Sequence, residues 1–194
     1  IKHRGPDSAG QFITDKAAWG FRRLSIIDLD NGSQPMFNED NSIVIVFNGE
    51  IYNYKILRED LIAKGHVFRN NSDTEVLVHG YEEYGTDLPK HCRGMFAFMI
   101  YDTNKDIAFG ARDYFGIKPF YYSVVKGNLV FGSEIKSILE YPGYEKKVNT
   151  EALEEYLTFQ YSVLPETFFK GIFKLPPAHS ILFKDGKVDI QRYW

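Results

Sequence analysis

The chain has 194 residues, 44% of them hydrophobic and 16% aromatic, with a formal net charge of −3 and one cysteine, Cys92. That length fits a single domain, and that composition can fill a core and excludes a disordered chain. No basic surface is offered to nucleic acid, no apolar run approaches the ~20 residues that span a bilayer, and a lone cysteine excludes an internal disulfide.

Ala17 to Leu29 reads as a strand with Arg22-Arg23 at its middle. Ser42 leads into Ile43-Val44-Ile45-Val46-Phe47, a β-branched and aromatic run that predicts a fully buried strand ending at Asn48-Gly49-Glu50. Asn53 can cap a helix with Ile56, Leu57, Leu61 and Ile62 at helical spacing, which Gly65 can end. Ser72 and Glu75 form a capping-box pattern opening a second helix, with Val76, Leu77, Val78 and Tyr81 inward. Met95 to Tyr101 is apolar throughout and predicts a strand covered on both faces. Asn104-Lys105 turns into a strand over Ile107 to Ala111, and Lys126-Gly127-Asn128 joins Tyr121–Val125 to Leu129–Gly132. Ile135 to Glu140 predicts a short helix, and Asn149-Thr150 opens a longer one ending near Gln160. Asp185-Gly186 joins Ser180–Lys184 to Lys187–Tyr193 as a hairpin. No repeat or composition shift divides the chain, and covered strands with paired helices suit layered α+β packing.

Asn48-Gly49-Glu50 places a side-chain donor, a permissive backbone and a carboxylate at one spot. Fixed donors of this kind suit an oxyanion hole, and Asn-Gly is equally a common turn dipeptide between strand and helix. His3, His66, His79, His91 and His179 show no metal-ligand spacing, so no metal site is expected. Neither a GxxxxGK[ST] run nor a GxGxxG after a strand is present.

Seven motifs occur in order: His3-Arg4-Gly5-Pro6-Asp7, Arg23-Leu24-Ser25-Ile26, Phe47 to Tyr54 (FNGEIYNY), Ser72-Asp73-Thr74-Glu75, Gly94 to Phe98 (GMFAF), Ala111-Arg112-Asp113 with Gly116-Ile117-Lys118-Pro119, and Ser133-Glu134-Ile135-Lys136. Together they resemble the glutaminase domain of glutamine-hydrolysing asparagine synthetase, a class-II glutamine amidotransferase. The resemblance covers residues 1–194 and implies an αββα four-layer sandwich of two antiparallel sheets, the N-terminal-nucleophile hydrolase fold, here lacking its first strand. It implies that Arg23 clamps the glutamine carboxylate and that Leu24, Ser25, Ile26 and Ile27 line the pocket beside it. Asn48 and Gly49 match the oxyanion hole, Glu50 a substrate-binding position, and Asp73 the acid for the substrate ammonium. Each has a plainer reading: Arg23 as a solvated strand residue like Arg22, Leu24 to Ile27 as strand core, and Asp73 as a favourable acid in a first helical turn. Arg4 and Asp7 are expected to bond across the Gly5-Pro6 turn, and Arg112, Asp113 and Lys118 to be buried-pair and turn residues.

In the resembled family the nucleophile is an N-terminal cysteine whose own α-amine, with a pKa of about 8, is the base. This chain begins at Ile1, and Cys92 reads as a small buried apolar residue. The expectation is a glutaminase domain trimmed at both ends, inactive by itself, with the cysteine upstream and the synthetase domain downstream. Glutamine and that synthetase domain are the expected partners, with a homo-oligomer left open. No cofactor is expected in this domain; ATP and Mg²⁺ belong to the absent one, which would form asparagine from aspartate. The single cysteine suits a reducing, cytoplasmic setting. Rivals are the glutaminase of another class-II amidotransferase, such as amidophosphoribosyltransferase or glucosamine-phosphate synthase, and a non-catalytic relative.

Overall fold

The computed structural model describes residues 1–24, 32–162 and 164–194. A ribbon of β1 (Ser8–Ile13) and β2 (Ala18–Arg23) comes first, closed by a turn in which Thr14 Oγ1 accepts Ala17 N–H at 3.0 Å. Then follow β3 (Met36–Phe37), β4 (Ile43–Ile51), α1 (Tyr54–Ala63), α2 (Asp73–Tyr84) and α3 (Leu88–His91). The second half holds β5 (Gly94–Asp102), β6 (Ile107–Arg112), β7 (Tyr121–Val125), β8 (Asn128–Gly132), α4 (Ile135–Leu139) and α5 (Thr150–Phe159). It closes with β9 (Phe173–Lys174), β10 (His179–Lys184) and β11 (Lys187–Arg192).

Six strands in the order β11-β10-β6-β5-β4-β3 form one antiparallel sheet. Alternation along its central strands sorts side chains to two faces. Ile43, Ile45 and Phe47 of β4, with Phe96, Phe98 and Ile100 of β5, pack against Leu57 and Leu61 of α1 and Val76, Leu77 and Tyr81 of α2. Val46, Ala97 and Met99 face the other way, onto Trp19 and Phe21 of β2 and Phe120, Tyr122, Leu129 and Phe131 around β7 and β8. Leaving water at a fully buried position such as Leu61 contributes about 1.5–3 kcal/mol per side chain.

The fold is therefore the α+β sandwich expected, with helices, the large sheet, a second β layer, and the short α4 against β7 and β8. Among the described residues the second layer is not one sheet. The β1–β2 ribbon and a three-stranded β8-β7-β9 sheet share the same apolar face, touching where Trp19 meets Phe131 edge-on at 5.4 Å.

Several elements depart from the sequence reading. Of the strand expected over Ala17–Leu29, β2 takes Ala18–Arg23 and leaves Leu24 out, and residues 25–29 lie outside the described residues. β4 does not end at Asn48 but pairs on through Ile51, Asn48 opposite Ala97 and Gly49 opposite Phe96. Gly49 makes this possible, since a Cβ there would lie 2.1 Å from Met95 O, and its φ is 155°. Gly94 repeats the arrangement from the other strand, where a Cβ would lie 2.0 Å from Glu50 O. Asn53 sits at the helix start without capping it; its side chain instead accepts Arg93 N–H at 2.8 Å and donates to His91 O at 2.9 Å. In the capping box, Ser72 accepts Glu75 N–H at 3.3 Å, while the Glu75 carboxylate turns back to Arg69 and Asn70 N–H at 2.7 and 2.9 Å.

Candidate active site

Between the two pieces of the second layer and the large sheet lies a cavity of about 1250 Å³. Arg23, Leu24, Asn48, Gly49, Glu50 and Asp73 all line it. Ser25, Ile26 and Ile27 lie outside the described residues. The convergence follows from strand parity: Asn48 and Glu50 share the face of Val46, which looks away from the helices.

The edge of β4 nearest α2 carries the site's backbone donors. Phe47 N–H is taken by Gln34 Oε1 at 2.6 Å, and Ile51 N–H by Asp73 Oδ2 at 3.0 Å. Two-residue alternation sets Gly49 N–H on the same edge between them, beyond the short β3, which pairs only with Ile45 and Val44. Asp73 opens α2 directly after its Ser72 cap and is 5% exposed. Burial raises the pKa of its carboxyl, and the charge of Glu50 raises it further, against the N–H groups of Ile51 and Thr74.

Arg23 closes β2, is 8% exposed, and its carbonyl accepts Asp7 N–H at 3.1 Å. Arg22, to which the sequence assigned nothing, donates through Nε to Gly5 O at 3.0 Å and holds the HRGPD turn against β2. A Cβ at Gly5 would lie 2.3 Å from the Arg22 carbonyl carbon, so this docking needs glycine. The carboxylate that Arg4 reaches is Glu134, at 3.2 Å, where the sequence reading paired it with Asp7. Glu134 also takes Lys136 at 2.8 Å and His3 at 2.8 Å; Lys136 first, then His3 and Arg4, pull its pKa down to about 2.

Arg112 and Asp113 are scaffold, though not by pairing with each other. The guanidinium donates to Lys118 O and Leu175 O at 2.7 Å each and to Gly116 O. The fully buried Asp113 carboxylate accepts Phe96, Phe115, Ile117 and Lys118 N–H at 2.9–3.2 Å, fixing the GIKP turn against β5. Cys92 lies across the large sheet from the cavity, among the helix-side core, and donates to Leu88 O at 3.4 Å. Burial pushes its thiol up to about 12, which leaves it no nucleophilic role at neutral pH.

Gln34 was missed. Its Oε1 satisfies Phe47 N–H and its Nε2 reaches Thr74 Oγ1 at 3.4 Å, so one amide ties the β4 edge to the start of α2 at the cavity wall. Nothing in its local sequence marks it, because the role depends on where the chain returns.

This α+β sandwich has the N-terminal-nucleophile hydrolase fold. A glutamine phosphoribosylpyrophosphate amidotransferase from B. subtilis, solved with ADP and GMP, superposes with a TM-score of 0.62 at 19% identity over 90% of this chain and 34% of its own. The chain belongs to the glutamine amidotransferase domain family, whose model matches residues 1–194. Among curated relatives, glutamine-hydrolysing asparagine synthetase 1 of Bacillus subtilis (strain 168) is 44% identical over all of this chain and 31% of its own length. Asparagine synthetase 3 of the same organism is 39% identical over all of the chain and 32% of its own length. Amidase chyE of Penicillium rubens is 37% identical, again across the whole chain and 28% of its own length. The chain thus spans about a third of the relatives it matches. No described helix is long and apolar enough to cross a membrane.

Proposed function

We propose that this chain binds glutamine in the cavity and presents its side-chain amide for hydrolysis, as the ammonia-supplying part of an asparagine-forming enzyme. The observation that carries the reading is that a cation, an amide beside a glycine, and two carboxylates line one cavity from three separate elements. Glutamine presents an α-carboxylate, an α-ammonium and a carboxamide. Arg23 takes the first through its two-pronged guanidinium. Asp73 with Glu50 takes the second: two carboxylates whose charges oppose one another are relieved by an ammonium between them. Asn48 and Gly49 N–H face the carboxamide oxygen, where negative charge grows during attack.

In the reaction a thiolate attacks the carboxamide carbon, the C–N bond breaks, and ammonia leaves with a proton. Water then cleaves the thioester to glutamate. Cys92 is on the wrong side of the sheet, so the thiol belongs to a segment outside these residues, with its own α-amine as base. The ammonia would pass to the remainder of a longer protein, whose ATP and Mg²⁺ site would supply the activation of aspartate; the names of the two B. subtilis relatives support that acceptor. A reducing, cytoplasmic setting accords with one buried cysteine. The amidase relative favours a second reading, in which ammonia goes to another acceptor. Asparagine formation from glutamine, aspartate and ATP by the longer protein decides between them.

Arg23→Lys in that protein keeps the charge and loses the fork. Losing a charge-assisted bidentate contact is worth about 1.5–3 kcal/mol, so kcat/KM for glutamine should fall at least about tenfold. Ammonia release measured against glutamine concentration checks this; an unchanged kcat/KM would make Arg23 a scaffold residue.

A further inference from the structure

His66, His79 and Glu82 are not among the residues that line the cavity and lie close to one another. His79 and Glu82 sit one turn apart on α2, and His66 comes from the segment after α1. One ligand atom from each falls within 4.8 Å of the others. We propose that these three side chains bind a divalent first-row transition-metal ion of the Zn²⁺ type.

The approach of the atoms is what such an ion needs. Glu82 Oε2 lies 2.8 Å from His79 Nδ1 and 3.6 Å from His66 Nδ1. Ligands at about 2.0–2.1 Å in a tetrahedron stand about 3.3 Å from each other, so both Glu82 distances are within about half an ångström of that, and the 4.8 Å span of the set must close by about 1.5 Å at most. The His79–Glu82 contact alone would be an ordinary buried hydrogen bond. His66 is not explained that way, because both its ring nitrogens face carboxylates beyond hydrogen-bond reach, Glu82 at 3.6 Å and Glu83 at 3.8 Å.

Carboxylates gather around the two rings. Each histidine turns Nδ1 to the shared Glu82 oxygen and Nε2 to another carboxylate: Glu83 for His66, and Glu75 at 3.8 Å with Glu39 at 3.9 Å for His79. At these distances the carboxylates lie beyond hydrogen-bond reach of Nε2 and would close on it only as the ion draws the rings in. The second Glu82 oxygen is engaged by Asn38 Nδ2 at 2.9 Å, which holds the carboxylate with Oε2 toward the histidines. Four carboxylates surround the point of convergence, and Lys64, 3.1 Å from Glu83, is the ammonium bonded to that outer group. Two nitrogens and one oxygen suit Zn²⁺ and its neighbours better than Mg²⁺ or Ca²⁺. Sequence spacing gave no hint, because twelve intervening residues separate His66 from His79 along the chain.

The test is titration calorimetry of this chain with ZnCl₂ in mildly alkaline, chelator-free buffer, with Co²⁺ absorption reporting nitrogen ligation. One ion per chain is expected, with binding weakened at least tenfold in both His66→Ala and Glu82→Gln, and a melting temperature that Zn²⁺ raises in the parent and not in the variants. His66 is partly exposed, and circular dichroism of each variant confirms that the fold is retained. Saturable binding that persists unchanged in both variants, or that is lost in His179→Gln instead, would overturn the proposal. So would the absence of saturable binding to the unaltered chain.

Discussion

The Asp73 carboxylate accepts Ile51 N–H while burial and the Glu50 charge raise its pKa. A raised native pKa means that Asp73 favours folding below its unfolded value near 3.8, and that this contribution is lost as pH rises through the native value. At neutral pH the charge therefore opposes the fold. Asp73→Asn keeps an oxygen for Ile51 N–H and removes the charge, so the melting temperature should stay level or rise while glutamine binding falls tenfold or more. Calorimetry beside a glutamine titration reads both; a lower melting temperature with unchanged binding would leave Asp73 a structural acceptor. By the same logic glutamine affinity of the unaltered chain weakens as pH falls through that raised value. Asn48 should behave differently. A donor aimed at charge that forms only during attack acts on rate, and losing one typically costs 100- to 1,000-fold in kcat, about 2.7–4 kcal/mol. Asn48→Ala in the longer protein should lower kcat steeply with KM little changed; a rise in KM alone would place Asn48 on the bound ground state.

At the scale of elements, β4 and β5 meet through two glycines that approach each other's carbonyls. Gly49→Ala puts a methyl into the Met95 carbonyl at a φ that L residues avoid, and should cost about 1–3 kcal/mol or more. Urea denaturation reads this as a lower midpoint; an unmoved midpoint would mean that the two strands part easily. These central strands were legible because coverage on both faces demands an unbroken apolar run. α2 was legible from Ser72 and its inward row, all of it buried. On α1 the apolar spacing overreached: Leu57 and Leu61 are buried, while Ile56 and Ile62 are 70% and 50% exposed. β1 escaped notice because Ser8-Ala9-Gly10-Gln11-Phe12-Ile13 is largely exposed and carries no apolar alternation. β3 and β9 are two residues each and exist only through the strands they pair with. The site was read from motifs, whose order along the chain stood in for the packing that brings Arg23, Asn48 and Asp73 to one cavity. Gln34 belongs to no motif and could be found only in three dimensions.

Across the whole molecule, each end of the described chain is tied down by contacts remote in sequence. His3 and Arg4 reach Glu134, and Tyr193 O–H reaches Arg112 O at 2.6 Å. The divided second layer has a further consequence. Among the described residues β2 pairs only with β1, and β8 only with β7, so each keeps one side of its backbone without a strand partner. Rows of unmatched peptide groups beside apolar side chains are templates for foreign strands. Purified by itself, the chain should recruit copies of its own kind, with scattered light growing faster in concentrated than in dilute samples; a preparation whose mass holds constant across that range would contradict this. The opening proposed to receive glutamine should thus also set a colloidal limit on how the domain can be stored and handled.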